Sequence, residues 1–109
     1  MIEHYSFGKI TIDGQTYTSD VIILTDTILD WWRDQGHVLN PQDLQKVYEK
    51  SPDTLVVGTG AYGRMKVPEK TRSHIKKKGI TLIVEKTEDA VQTFNKLKGS
   101  KAAALHLTC

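Results

Sequence analysis

Apolar and polar residues alternate at the start of the chain. Residues 9–12 and 15–18 show this alternation on either side of Asp13 and Gly14. Asp-Gly between two such runs is typical of a β-hairpin closed by a two-residue type I′ turn. Residues 21–24 follow as a continuous apolar run, which is expected of a strand covered on both faces. The pattern therefore predicts a hairpin followed by a buried strand.

The rest of the chain divides into short strands and amphipathic helices. Further strands are predicted at residues 28–33, 55–57, 80–84 and 102–107. In the first of these, the indoles of Trp31 and Trp32 are expected to face opposite sides. With Asn40 and Thr87 as N-caps, helices are predicted from Pro41 to about Lys50, from Pro68 to Lys78, and from Thr87 to a stop at Gly99. The order β-α-β-α-β after residue 54 implies crossover connections and a layered α/β fold.

Length and composition indicate one domain. The chain has 109 residues, of which 39% are hydrophobic, and a formal net charge of +2. These values are ordinary for a globular domain, so we assign residues 1–109 to a single domain. Cys109 is the one cysteine, which excludes an internal disulfide and fits a reducing compartment. We find no signal-peptide pattern and no membrane-length apolar run, so a cytoplasmic location without membrane contact is expected.

A glycine-rich loop follows the predicted strand at residues 55–57. Gly58, Gly60 and Gly63 form the pattern G-x-G-x-x-G, and Glu85 follows near the spacing of an acid that would hold a ribose. A dinucleotide site, however, needs a helix that begins inside this motif. Pro68 would break that helix at a cost of ~3 kcal/mol. We therefore expect Pro68 to start a separate helix and predict no nucleotide or other cofactor.

Two interpretations of this loop remain open. In the first, the glycines permit positive φ angles and close backbone packing. In the second, the amides of residues 59–63 and the hydroxyl of Thr59 bind a small anion beyond the ends of the strands. Arg33 is the best cation to join such a site, because a guanidinium binds carboxylate or phosphate bidentately and an indole can stack on it. The alternative for Arg33 is an ordinary strand-end arginine beside two half-buried indoles.

His106 and Cys109 form an H-x-x-C pattern. In an extended segment this odd offset places the two side chains on opposite faces, so we predict no metal site. A Cys–His dyad is also disfavoured, because the α-carboxylate of Cys109 would oppose a thiolate. His37, after Gly36, is interpreted as a cap or turn residue. In the absence of any other catalytic cluster, a non-enzymatic role is favoured.

Seven lysines and arginines crowd residues 64–78, opposed there by Glu69. Such a stretch can hold nucleic acid electrostatically. No aromatic residue suited to base stacking is interleaved, however, and cations at a helix C-terminus compensate the helix dipole. We interpret the stretch as solvated surface and predict no nucleic-acid partner.

Several motifs together resemble one small family. They are Trp31-Trp32-Arg33 with Gly36-His37, Val57-Gly58-Thr59-Gly60 through Gly63, Met65, Val67-Pro68, Thr87 with Ala90 and Asn95, and Ala104-Leu105-His106-Leu107-Thr108-Cys109. In these motifs the chain is similar to bacterial members of a family that contains the archaeal Mth-type domains of unknown function. The adipogenesis-associated domain protein of animals and the mitochondrial NADH dehydrogenase (complex I) assembly factor three belong to the same family. The resemblance covers essentially the whole chain.

The resemblance implies both a fold and a class of function. The implied fold is a three-layer α/β domain with a mixed, mostly parallel central sheet of about five strands, flanking helices and an N-terminal β-hairpin at one side. No enzymatic activity is established for the family, and its mitochondrial members act as assembly factors through protein contacts. The family supplies no catalytic residues to transfer to this chain.

Two hypotheses follow from the sequence. The first is a non-enzymatic cytoplasmic domain, monomeric or homodimeric, that binds a partner protein or acts in assembly. The second is a binder of a small anionic ligand, or an enzyme that the sequence does not reveal. Its predicted site comprises Gly58, Thr59, Gly60, Tyr62, Gly63, Arg33 as anion clamp and His106 as acid or base.

Overall fold

The computed structural model describes residues 1–109. The strands are β1 (Ile2–Ser6), β2 (Lys9–Ile12), β3 (Gln15–Tyr17), β4 (Val21–Ile23), β5 (Ile28–Asp30), β6 (Thr54–Thr59), β7 (Thr81–Glu85) and β8 (Lys101–His106). The helices are α1 (Gln45–Lys50), which a 3₁₀ turn at Pro41–Leu44 precedes, α2 (Glu69–Lys77) and α3 (Thr87–Lys96).

A five-stranded sheet of order β5-β4-β8-β6-β7 forms the centre of the molecule. β8, β6 and β7 are parallel, whereas β4 is antiparallel to both of its neighbours. Four of the five strands consequently run in the same direction. Their last residues, Asp30, Thr59, Glu85 and His106, mark one edge of the sheet, which we call the carboxyl edge. This arrangement confirms the mixed, mostly parallel sheet that the family resemblance implies.

The sheet is covered on both faces. One face packs against the 3₁₀ turn, α1 and α2, and the other packs against α3 and the N-terminal strands. Alternation along β6 shows how the sequence builds both faces: Leu55 and Val57 belong to the first hydrophobic cluster, and Val56 belongs to the second. The predicted three-layer architecture is confirmed.

The N-terminal hairpin forms at the predicted place. Asp13 and Gly14 have φ angles of 49° and 81°, and Ile12 pairs with Gln15, as a two-residue type I′ turn requires. β1 pairs with β2 and extends the hairpin to three strands. The sequence pattern did not predict β1, because Ile2 is its one fully buried residue and the apolar alternation is weak.

β1 is also tied to α3. The side-chain oxygen of Asn95 accepts a hydrogen bond from the Ile2 amide at 2.9 Å, and its side-chain amide donates to the Ile2 carbonyl at 2.8 Å. One residue of α3 thus satisfies both backbone groups of Ile2 and fixes the small sheet against the central one.

Pro68 starts α2, as predicted. Its φ angle is −63°, and the helix begins at the next residue, Glu69. No helix occurs between Gly60 and Pro68. The glycine-rich loop therefore lacks the helix that a dinucleotide-binding loop requires, in agreement with the sequence analysis.

Two elements differ most from their predicted bounds. The strand predicted at 28–33 ends at Asp30, and the helix predicted from Pro41 begins as a 3₁₀ turn. Trp31 is buried and Trp32 is 81% exposed, so the two indoles do lie in opposite environments. None of the three helices combines the length and apolar character needed to cross a bilayer.

Candidate functional site

Three charged or titratable side chains meet at the carboxyl edge. Asp20 immediately precedes β4, Arg33 follows β5, and His106 is the last residue of β8. Because β4 is antiparallel to its neighbours, its first residue lies beside the last residues of β5 and β8. The topology therefore brings together residues that are up to 86 positions apart in sequence. We call this group the Asp20–Arg33–His106 cluster.

Asp20 is the centre of the cluster. Its Oδ2 lies 2.7 Å from Nδ1 of His106 and 2.9 Å from Nη1 of Arg33. Its Oδ1 accepts a hydrogen bond of 2.7 Å from the amide of Leu107. Burial alone would raise the pKa of the Asp20 carboxyl. The hydrogen bonds from His106 and Leu107, together with the charge of Arg33, outweigh burial and lower that pKa. Asp20 is therefore a carboxylate in the folded protein.

Several contacts fix the side chain of Arg33. Its side chain is only 5% exposed, its guanidinium lies 4.4 Å from the centre of the Trp31 indole, and its Nη2 donates to the Gly36 carbonyl at 2.9 Å. The predicted stacking of the arginine on an indole is thus observed. Nε is buried and has no hydrogen-bond partner. Since Asp20 already pairs with the guanidinium, the charge available to an external anion is reduced.

The hydrogen bonds around His106 indicate its tautomer. Nδ1 is 2.7 Å from the Asp20 carboxylate and 3.1 Å from Nη2 of Arg33, which can only donate. The shorter contact, to a charged acceptor, is the stronger one, so we assign the proton to Nδ1. In the neutral imidazole, Nε2 then carries the lone pair. It is buried and has no hydrogen-bond partner.

His37 and Cys109 complete a second group around His106. One ligand-type atom from each of the three residues lies within 4.8 Å of the other two, and the rings of His37 and His106 are 6.0 Å apart. The expectation that His106 and Cys109 face opposite sides is wrong, because it assumed an extended segment. β8 ends at His106, and the chain then bends back over the end of β6.

Gly60 lets the chain after β8 pass close to the loop. The Ala61 amide donates to the Thr108 carbonyl, and the Arg64 amide donates to the Cys109 carbonyl. At Gly60, where φ is +105°, a Cβ would collide with the carbonyl oxygen of Thr108 and lie 2.6 Å from the carbonyl carbon of Cys109. Gly60 therefore serves the close approach of two backbone segments, which is the first of the two interpretations of the loop.

The loop uses most of its amides internally. The Gly60 amide donates to the hydroxyl of Thr87, the Ala61 amide to Thr108, and the Gly63 amide to the Gly60 carbonyl. The hydroxyl of Thr59 donates to the Glu85 carbonyl at 3.2 Å. These groups would have to exchange partners before they could bind an anion. Tyr62 is 67% exposed at the tip of the loop.

Thr87 differs from its predicted role. Its hydroxyl does not cap α3; it accepts from the Gly60 amide at 2.9 Å and donates to the His106 carbonyl at 2.6 Å. The residue thus joins the ends of β6 and β8. Gly58 leaves room for it, because a Cβ there would lie 2.7 Å from the Thr87 hydroxyl oxygen. Within the predicted site, Gly58 is accordingly a packing position.

Sequence reasoning missed Asp20 and the grouping of His37 with His106. An aspartate before an apolar strand is too common to single out, and only the antiparallel insertion of β4 places it beside His106. His37 was interpreted as a turn residue because nothing in its spacing relates it to a residue 69 positions later. Histidines recur along the sequence, and that recurrence was the available signal for a shared site. No local pattern, however, indicates which histidines lie together in the fold.

A separate cavity lies at the opposite edge of the sheet. It has a volume of about 640 Å³ and includes Phe94, Asp26 and Lys101 in its lining. Its charged groups already have partners: Asp26 pairs with Lys50, and Lys101 donates to the carbonyls of Phe94 and Leu97. The buried groups without partners lie instead at the carboxyl edge, so we place the candidate site there.

Comparison with known proteins agrees with this architecture. A family model described as "Protein of unknown function (DUF498/DUF598)" matches residues 2–106. The chain belongs to the DUF498/DUF598 family. It is also 30% identical over 106 residues to a Danio rerio protein named NADH dehydrogenase [ubiquinone] 1 alpha subcomplex assembly factor 3. The match covers 95% of this chain and 60% of that relative.

Solved structures of the same fold come from archaea and bacteria. The conserved hypothetical protein PH1505 from Pyrococcus horikoshii OT3 is 27% identical, with a TM-score of 0.91 and coverage of 100% of this chain and 99% of that one. A Bordetella pertussis protein described as a Mth938-like domain is 17% identical, with a TM-score of 0.76 and coverage of 97% and 84%. The second likeness is one of fold alone. Together with the family match, they confirm the resemblance noted in the sequence.

The variant Asp20→Asn tests whether the Asp20–Arg33–His106 cluster stabilises the fold. We expect a loss of about 3 kcal/mol at neutral pH, because the change leaves Arg33 buried without a counter-charge. The Asp20 carboxyl has a lower pKa in the folded chain than in the unfolded chain, so the unfolded chain binds the proton first as pH falls. The contribution of Asp20 is therefore complete above the ordinary carboxyl pKa of about 3.9 and is lost as pH falls below it. Denaturant unfolding between pH 3 and pH 7 measures both effects.

Asp13→Asn is the matched control. Asp13 forms an ion pair whose two groups are mostly exposed, so its loss changes stability by well under about 1 kcal/mol. Equal stability of Asp20→Asn and the parent chain at pH 7 would contradict the prediction.

The variant Gly60→Ala tests the close backbone approach. Gly79→Ala is the matched control, because Gly79 also has a positive φ (+78°), but a Cβ added there would meet nothing within 4 Å. The control carries only the cost of the backbone conformation, about 1–2 kcal/mol. Gly60→Ala adds a steric collision and is expected to cost about 2 kcal/mol more. Thermal or denaturant unfolding measures both losses of stability. If the two variants lose the same amount, the close approach of the two backbone segments at Gly60 is wrong.

Proposed function

We propose that this chain is a protein-binding factor that acts in the assembly of a multisubunit complex, and that the carboxyl edge of its sheet is the binding surface. Sequence similarity supports an assembly role, since the Danio rerio relative carries the name of an assembly factor for NADH dehydrogenase. The single observation that carries the choice of surface is Trp32, an indole that is 81% exposed beside the buried guanidinium of Arg33. We place this activity in the cytoplasm.

Three exposed aromatic side chains lie in segments that reach this edge. Trp32 follows β5, Tyr62 lies in the loop after β6, and Phe7 lies in the turn between β1 and β2. That turn reaches the edge because the Gly8 amide donates to the Leu107 carbonyl. The rings of Phe7 and Tyr62 are 6.1 Å apart. Tryptophan and tyrosine are the residues that most often dominate the binding energy of protein interfaces.

The backbone beneath Trp32 is fixed before any partner arrives. Trp31 is buried and its indole Nε1 donates to the Asp43 carbonyl at 2.9 Å, while Arg33 pairs with Asp20. The residue between them therefore presents its indole from a rigid support. A backbone fixed in this way does not have to be ordered on binding, which favours affinity.

The geometry gives less support to the anionic ligand. The charge of Arg33 is already paired with Asp20, and three loop amides donate within the chain. An anion would have to displace these partners, whereas a protein surface can cover the exposed rings without disturbing them. We therefore favour a protein partner.

The variant Trp32→Ala tests the proposed surface in cells. In cells of the source organism from which the gene has been deleted, we expect the fully assembled NADH dehydrogenase to decline on native gels. The parent chain restores it. Trp32→Ala does not, because loss of a hot-spot tryptophan typically costs about 2 kcal/mol or more, roughly a thirtyfold loss of affinity. Since the indole is exposed, unfolding of the purified variant should match that of the parent.

Lys98→Ala is the control, because Lys98 is exposed at the opposite edge of the sheet; it should restore assembly fully. A photo-crosslinking residue at position 32, but not at position 98, should capture a subunit of the same complex. Three outcomes would each reject the proposal. The first is normal assembly in cells that lack the gene, and the second is full rescue by Trp32→Ala. The third is crosslinking at position 32 to a second copy of this chain alone.

A further inference from the structure

We propose that His37, His106 and Cys109 form a binding site for a zinc-type divalent metal ion at the carboxyl edge. This inference does not depend on the assembly role, because metal binding is measured on the isolated chain. The three residues each contribute one candidate donor atom, and all three atoms lie within 4.8 Å of one another. They come from two segments, one containing His37 and the other containing His106 and Cys109, so the tertiary fold brings His37 to the other two.

The buried nitrogen of His106 points to a ligand. Nε2 is inaccessible to solvent and has no hydrogen-bond partner. Buried polar atoms of native proteins nearly always have a partner, so an exception requires an explanation. A metal ion bonded to this lone pair would supply one.

Asp20 prepares His106 for metal binding. Its Oδ2 lies 2.7 Å from Nδ1, which fixes the ring orientation and leaves Nε2 on the side of the ring away from Asp20. Histidines that bind metals almost always donate their other ring nitrogen to a carboxylate or carbonyl in this way. Arg33 contacts Nδ1 and not Nε2, and its charge is paired with Asp20. The charge of Arg33 is therefore already balanced.

The donor set suits zinc. Imidazole nitrogen and thiolate sulfur are the usual zinc ligands, and three protein ligands leave a fourth tetrahedral position open. With Zn–N near about 2.0 Å and Zn–S near about 2.3 Å, the donors of a tetrahedral site lie roughly 3.5 Å apart. The ligand atoms must therefore approach by about 1 Å. His37 is exposed and Cys109 is partly exposed, so both side chains have room to rotate.

The backbone of each ligand is held in place. The His37 carbonyl accepts from the Lys66 amide at 2.8 Å, His106 ends a central strand, and the Cys109 carbonyl accepts from the Arg64 amide at 3.2 Å. Contraction around an ion therefore requires side-chain motion only. A site of this kind binds with little reorganisation.

The test is titration of the purified, reduced, metal-free chain with Zn²⁺ by calorimetry and with Co²⁺ by absorption spectroscopy. We expect one ion per chain, a rise of several degrees in the melting temperature with excess Zn²⁺, and a thiolate-to-Co²⁺ charge-transfer band. His37→Ala and Cys109→Ser should each weaken Zn²⁺ binding at least tenfold, and Cys109→Ser should abolish the charge-transfer band. Neither side chain is in the hydrophobic core, so both variants should fold.

His4→Ala is the matched control, because His4 is exposed on β1, away from the three ligands; it should bind Zn²⁺ as tightly as the parent. Absence of binding would overturn the proposal. Binding of equal strength in the His37 and Cys109 variants, or a Co²⁺ spectrum without the thiolate band, would overturn it as well, since the ion would then occupy other residues. A failure here leaves the assembly test intact, because that test concerns Trp32 and a partner protein.

Discussion

The carboxylate of Asp20 is the group on which the carboxyl edge depends. It pairs with Arg33, orients His106 and accepts the Leu107 amide, so one side chain connects the start of β4 with the ends of β5 and β8. Buried ion pairs contribute little net stability, because desolvation of the charges offsets their attraction, but losing one partner is costly. The cluster therefore acts less as a source of stability than as a constraint that permits one arrangement of these three strands.

The same glycine-rich sequence pattern can allow different groups to approach the backbone. In a dinucleotide site its glycines allow a pyrophosphate to approach the backbone. In this chain Gly60 allows the segment at residues 108 and 109 to approach instead, and Gly58 makes room for Thr87. Backbone of the same chain therefore lies directly against Gly60. Pro68, which separates the loop from α2, is the residue that distinguishes the two cases.

Local signals were enough to predict most of the fold. Asp13 and Gly14 fixed the hairpin, Pro68 fixed the start of α2, and the alternating strands and helices indicated the layers. β1 could not be predicted, because its pairing depends on β2 and on Asn95 rather than on its own pattern. Of the site, Arg33 and its indole were recognised from adjacent residues. The positions of Asp20 and Cys109 were not, since they depend on strand order and on a bend after β8, which no short window of sequence specifies.

α3 is attached to the rest of the molecule at both of its ends. Its first residue, Thr87, bonds to Gly60 and His106, and Asn95, near its last turn, bonds to both backbone groups of Ile2. A single helix thus joins the small N-terminal sheet to the backbone at the end of β8. The N-terminal strands therefore help to position α3 as well as covering the core.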